Sequence, residues 1–151
     1  MKKTVVVCSG NMNRSPAVEA YVKHFAREKG INIEIRSAGI EDPNDGLAFY
    51  GMPSTRSRAG KYLLERGISE IEEHVSRFLT PEMVEWADIL LAVDRNTEAR
   101  ILSVYPQARP KVTRISQCLK GKYPDMGERL EYWKEHIEPM SRELFELLAG
   151  N

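Results

Sequence analysis

Short apolar runs and helical repeats alternate along the whole chain. Val5, Val6 and Val7 form a β-branched run that ends at Cys8, which predicts a buried strand over Lys3–Cys8. Ser15 and Pro16 then open a helix, Ser15 as N-cap and Pro16 at the first helical position, which runs to Lys29 and closes at Gly30. The alternation of Ile31, Ile33 and Ile35 predicts a second strand over Ile31–Arg36. Glu41–Ser54 is turn-rich, with Asp42-Pro43-Asn44-Asp45-Gly46 ahead of the aromatic pair Phe49 and Tyr50. Helical spacing covers Thr55–Glu65 and stops at Gly67, and Thr80-Pro81-Glu82 starts a further helix through Trp86. Ile89–Val93 reads as a third strand, Asn96–Val104 as a short helix, Lys111–Ile115 as a fourth strand and Gly127–Leu148 as the last helix. Strands alternating with helices predict right-handed crossovers and a parallel sheet. In such sheets ligands gather at the carboxyl ends of strands, where both Cys8 and Asp94 fall.

Composition narrows the classes without choosing among them. The length of 151 residues suits one domain, 1–151, with a sizeable core. Lys and Arg number 22 against 22 Asp and Glu, so no net field favours nucleic acid or an anionic membrane. A charged-then-apolar leader and a run of spanning length are both missing, so the expectation is a soluble, cytoplasmic monomer with neither membrane nor nucleic-acid partner. Two cysteines argue against a disulfide framework and a cysteine-rich metal site, and His24, His74 and His136 lack ligand spacing. No cofactor and no metal are expected.

The chemistry concentrates in Cys8-Ser9-Gly10-Asn11-Met12-Asn13-Arg14-Ser15-Pro16. A strand that ends in a cysteine and passes through a short loop into a helix start makes an anion site with a nucleophile in it. The helix N-terminus offers free N–H groups and a favourable dipole to a tetrahedral oxyanion. A thiol attacks only as a thiolate, and a helix N-terminus beside a guanidinium favours that form. Arg14 can hold two non-bridging oxygens of a phosphoryl group through its planar fork. Gly10 permits a tight turn, Asn11 tolerates left-handed backbone, and the Ser15 hydroxyl is suited to donate to the Cys8 sulfur. Asn13-Arg14-Ser15 is also formally a glycosylation sequon, which its place inside this loop argues against.

Cys8 to Pro16 resembles the Cys-x5-Arg-Ser-Pro loop of the low-molecular-weight protein tyrosine phosphatases. Weaker likenesses follow in that family's order: Ser37-Ala38-Gly39-Ile40, His74 to Thr80, Ala87 to Asp94, and Tyr123-Pro124-Asp125-Met126. The resemblance implies a three-layer α/β sandwich with a four-stranded parallel sheet in the order 2-1-3-4, flanked by helices. It implies a metal-independent phosphatase that forms a cysteinyl-phosphate, with Cys8 as nucleophile, Arg14 as phosphate clamp and Asp125 as general acid. Ser9, Gly10, Asn11, Met12, Asn13, Arg14 and Ser15 would bind the phosphate. Phosphotyrosine-containing proteins would be the substrates, with Met12 and Phe49 or Tyr50 lining the pocket. Arginine phosphatases on this fold tend to carry threonine at the position of Met12. Asp94 is the second candidate acid, or a residue that holds the loop, and Asp125 is otherwise a helix cap.

The chain also departs from the pattern. Proline usually follows the acid and a tyrosine pair often comes next; here Met126 and Gly127 stand there. Most relatives carry a second cysteine where this chain has Asn13, so a resolving disulfide at that position is ruled out and peroxide should drive Cys8 further up the oxidation ladder. Asn11 to Ser15 also resembles the loop of RNA-polymerase-tail serine phosphatases, which keeps phosphoserine as an alternative. Arsenate reductases share the loop but need a cysteine pair near the third strand, and Thr80 to Asn96 holds no cysteine. A non-catalytic phosphate-binding module is the remaining alternative; it would need neither Cys8 nor an acid.

Overall fold

The computed structural model describes residues 2–46 and 48–150. Met1, Leu47 and Asn151, which the sequence reading includes in its single domain, lie outside the described residues. Four parallel strands, β1 (Thr4–Cys8), β2 (Ile35–Gly39), β3 (Ile89–Ala92) and β4 (Val112–Arg114), stand in the order β2-β1-β3-β4. Six α-helices accompany them among the described residues: α1 (Arg14–Lys29), α2 (Arg58–Glu65), α3 (Pro81–Trp86), α4 (Arg95–Val104), α5 (Ile115–Cys118) and α6 (Ile137–Ala149).

The sheet is buried on both faces, so successive residues of β1 feed two separate cores. Val6 and Cys8 pack with α1, α2 and α6, while Val5 and Val7 pack with α3 and α4. Burying the three valines completely contributes on the order of 1.5–3 kcal/mol each. The central strand is therefore rigid, and Cys8 sits at its carboxyl end, paired in register with Gly39 of β2.

Several element bounds differ from the sequence reading, each for a physical reason. Helix α1 begins at Arg14 with Asn13, not Ser15, as N-cap, and Asn13 makes no side-chain cap bond because its Oδ1 accepts the Ala59 amide instead. The second strand starts at Ile35 and runs into Ser37-Ala38-Gly39, since Ile31 is exposed and only the later residues reach the register of β1. The helix expected from Thr55 is a 3-10 turn over Ser54–Arg56 followed by α2, whose cap Ser57 accepts the Gly60 amide at 2.9 Å. The last helix is the shorter α6, preceded by a 3-10 turn over Leu130–Tyr132. Among the described residues no helix is long and apolar enough to cross a membrane.

Candidate active site

The loop between β1 and α1 is built around Asn11. Its φ of 56° is the left-handed conformation that asparagine tolerates better than most residues. Its amide side chain is fully buried and fully used. Nδ2 donates to Ser15 Oγ and Ser37 Oγ, each at 2.9 Å, while Oδ1 accepts from His74 Nε2 at 2.8 Å and from the Arg77 amide at 2.9 Å. The loop is thus tied at once to α1, β2 and the 74–77 segment.

Both groups nearest the sulfur are donors. The Asn11 backbone N–H lies 3.2 Å from Cys8 Sγ and the Ser15 hydroxyl 2.9 Å from it. With Asn11 Nδ2 already donating to Ser15 Oγ, the hydroxyl proton has two acceptors in reach, the sulfur at 2.9 Å and the Ala38 carbonyl at 3.5 Å. Pointing it at the nearer sulfur stabilises negative charge there. Cys8 is 3% exposed, so attack is confined to the mouth of the loop.

Arg14 closes that mouth. Its Nη1 donates to Asp94 Oδ2 at 2.5 Å and to the Met126 carbonyl at 3.0 Å, and Nη2 reaches Ser9 Oγ at 3.4 Å. Asp94 also caps α4 by accepting the Thr97 amide at 2.7 Å. Burial works to raise the Asp94 carboxyl, but the Thr97 amide and Arg14 outweigh it and hold the group below its ordinary range. One carboxylate therefore fixes both a helix start and the guanidinium, which is the loop-holding alternative of the sequence reading.

A second carboxylate, Glu19, lies beneath the loop and was missed in the sequence, where it is one more polar residue on α1. It accepts from Ser37 Oγ and Lys23 Nζ, each at 2.5 Å, and faces His74 Nδ1 at 3.4 Å. Burial would raise its carboxyl; the contacts with His74 and Lys23 outweigh that and lower it to about 2. A cavity of about 230 Å³ opens behind this brace, lined by Glu19, Lys23, His74 and Arg77 among others, and Cys8 does not line it.

Asp125 has both carboxylate oxygens engaged. Its Oδ2 accepts from Arg114 Nη1 at 2.9 Å and its Oδ1 from Ser116 Oγ at 2.6 Å. Its neighbour Met126 makes the link to the loop: the side chain is buried, the carbonyl meets Arg14, and the N–H donates to the Val93 carbonyl at 3.0 Å. A proline has no N–H to give, so the departure at Met126 adds an anchor to the end of β3 that proline would lack.

On the β2 side, the Tyr50 hydroxyl donates to the Glu41 carbonyl at 2.8 Å and approaches the Ser9 carbonyl at 3.3 Å, and its ring packs edge-on against Phe78. Burial, with Cys8 and Glu41 close by, pushes this phenol above its ordinary range. Gly39 makes the approach possible, since a Cβ there would lie 2.6 Å from the Tyr50 oxygen and 2.7 Å from the Ser9 carbonyl. Phe49 is 57% exposed beside it, and Met12 is partly exposed on the loop. Asn13 Oδ1 accepts the Ala59 amide at 3.1 Å, joining the loop to the first turn of α2. Cys118 lies at the end of α5, where burial pushes its thiol up.

Comparison with known proteins bears on the whole chain. A sequence model of the low molecular weight phosphotyrosine protein phosphatases matches residues 3–144. The protein-arginine-phosphatase of Bacillus subtilis is 31% identical over 147 residues, covering 93% of this chain and 92% of its own length. The low molecular weight protein-tyrosine-phosphatase Etp of Escherichia coli K12 is 30% identical over 137 residues, covering 90% and 84%. The crystal structure of a YwlE mutant from Bacillus subtilis superposes with a TM-score of 0.77 at 30% identity, covering 98% of this chain and 99% of that one. The sheet order, the loop between β1 and α1 and this full-length match agree: the chain belongs to the low molecular weight phosphotyrosine protein phosphatase family.

Proposed function

We propose that this protein hydrolyses phosphotyrosine in protein substrates without a metal, through a cysteinyl-phosphate. The observation that carries the reading is the pair of donors on Cys8 Sγ, from Ser15 and the Asn11 amide, inside a loop whose mouth is closed by a clamped Arg14. Cys8 attacks phosphorus in line while the loop amides and Arg14 hold the equatorial oxygens. The S–P bond forms as the O–P bond to the leaving group breaks. Asp125 supplies the proton to the departing oxygen, which requires its carboxyl to turn away from Arg114 and Ser116. Water then attacks the phosphocysteine, Asp125 takes its proton, and the Ser15 hydroxyl stabilises the departing thiolate.

Phosphotyrosine is favoured by the partly exposed Met12 on the loop and the exposed Phe49, next in sequence to the Tyr50 that reaches Ser9, which suit an aromatic ring. Phosphoarginine is the second reading, because a relative of comparable identity is a protein-arginine-phosphatase. The test compares wild type and Cys8→Ser on phosphotyrosine, phosphoserine and phosphoarginine peptides in a chelator, with vanadate as inhibitor. The expected result is vanadate-sensitive turnover highest on phosphotyrosine and abolished in Cys8→Ser. Preference for phosphoarginine or phosphoserine would overturn the substrate, and turnover that survives Cys8→Ser would overturn the mechanism.

A further inference from the structure

Arg114 stands between two carboxylates. It ends β4 at the carboxyl edge of the sheet, in register with Ala92 of β3, and its side chain is 13% exposed. Nη1 donates to Asp125 Oδ2 at 2.9 Å, while Nε lies 3.5 Å from Glu98 Oε1. Nε is buried and makes no hydrogen bond among the described residues. A buried N–H without an acceptor is costly, so the guanidinium is drawn towards Glu98 while Asp125 holds it. Glu98 lies one turn after Asp94 on α4, and residues four apart share a helix face. That face meets Arg14 through Asp94 and Arg114 through Glu98. Met126 is pinned, since its N–H donates to the Val93 carbonyl and its carbonyl accepts from Arg14. With the next residue fixed in this way, the Asp125 carboxyl can leave Arg114 by rotation of its own side chain.

We propose that Arg114 is a positioning residue that holds Asp125 out of use and passes to Glu98 when the acid turns to the leaving oxygen. The inference rests on the phosphatase reading above and adds to it a control of the proton donor. As Asp125 rotates, its hydrogen bonds from Arg114 and Ser116 break. The guanidinium keeps a carboxylate partner because Glu98 is already beside it, and Nε gains the acceptor it lacks. Once free, the Asp125 carboxylate takes a proton from solvent and gives it to the departing oxygen. Arg114 thus sets the cost of freeing the acid, and Glu98 lowers that cost.

The test measures kcat/KM of the full chain on phenyl phosphate, whose leaving oxygen needs a proton, and on 4-nitrophenyl phosphate, which needs one less. Wild type, Arg114→Gln, Glu98→Gln, the double variant and Asp125→Asn are compared, with melting temperatures to confirm folding and vanadate inhibition to read the phosphate loop. The ratio of phenyl to nitrophenyl rates is expected to rise about threefold to fivefold in Arg114→Gln and to fall by a similar factor in Glu98→Gln. In the Arg114→Gln background, Glu98→Gln is expected to add no further shift, because its effect runs through the guanidinium. Vanadate inhibition constants are expected to stay within about twofold in these three variants, as a change confined to the proton donor requires. Glu98 is a quarter exposed on α4, so its variant keeps the test open if Arg114→Gln fails to fold. An unchanged or oppositely shifted ratio in the folded variants, or a Glu98→Gln effect that persists without Arg114, would overturn the inference alone. Equal losses on both esters in Asp125→Asn would remove the acid and the inference with it. A wild type that turns over neither ester would overturn the phosphatase reading itself.

Discussion

Arg14 Nη1 and Asp94 Oδ2 lie 2.5 Å apart across 80 residues of sequence, joining the first turn of α1 to the cap of α4. The pair sets where the guanidinium points before any phosphate arrives. Asp94→Ala removes both the cap and the partner of Arg14, and is expected to destabilise the fold by about 1 kcal/mol and to weaken vanadate inhibition. Asp94→Asn keeps a capping oxygen but loses the charge. It is expected to retain more of the stability in urea titration while still weakening vanadate, which separates the two roles.

Asn11 combines a left-handed backbone with four side-chain hydrogen bonds. Asn11→Gly relieves the backbone strain and loses the bonds, whereas Asn11→Ala loses the bonds and keeps the strain. Both are expected to lower kcat by roughly tenfold or more through a displaced loop. The glycine variant should be the more stable by about 1 kcal/mol, as read from urea midpoints.

Glu19 links stability to pH. Its carboxyl is lowered from 4.5 to about 2 in the folded protein, so its contribution is fully present above pH 4.5 and is lost as pH falls through about 2. The size of that contribution is on the order of 3 kcal/mol. Wild type is expected to lose stability steadily between those two pH values, and Glu19→Gln to show a flatter profile there with lower stability at neutral pH. Urea titrations at a series of pH values check this.

The loop between β1 and α1 was legible in the chain because its signals are local: three valines before Cys8, an asparagine suited to left-handed backbone, and a helix start carrying Arg14 and Ser15. The strand order came only with the family resemblance, because no local signal says which strands lie side by side. What lay beyond the sequence depends on partners far along it. Glu19 gains its role only when His74 and Ser37 are folded against it. Met126 reads as a departure until its N–H is seen on Val93, and Gly127 as a loss until Tyr132 is found across it. Ser15 reads both as a cap and as a partner of the sulfur; only the second holds, since Asn13 takes the cap position and the Ser15 hydroxyl lies 2.9 Å from Cys8 Sγ.

Asp125 has both oxygens engaged by Arg114 and Ser116. In the proposed role of general acid it would matter most when the leaving oxygen is basic. Asp125→Asn is expected to slow phenyl phosphate by roughly a hundredfold or more while affecting activated nitrophenyl esters much less. A leaving-group series of kcat/KM values reads this directly, and equal losses across the series would remove Asp125 from that role.

The central claim is that the Cys8 sulfur, held by the Ser15 hydroxyl and the Asn11 amide, carries the phosphoryl group. The most direct measurement is mass analysis of the Cys8 peptide after acid-quenching the wild-type enzyme during turnover of 4-nitrophenyl phosphate. A phosphoryl mass on Cys8 of the wild type, with turnover lowered at least about a thousandfold in Cys8→Ser, is the predicted result. Steady turnover with no phosphoryl group on Cys8, and undiminished in Cys8→Ser, would contradict it.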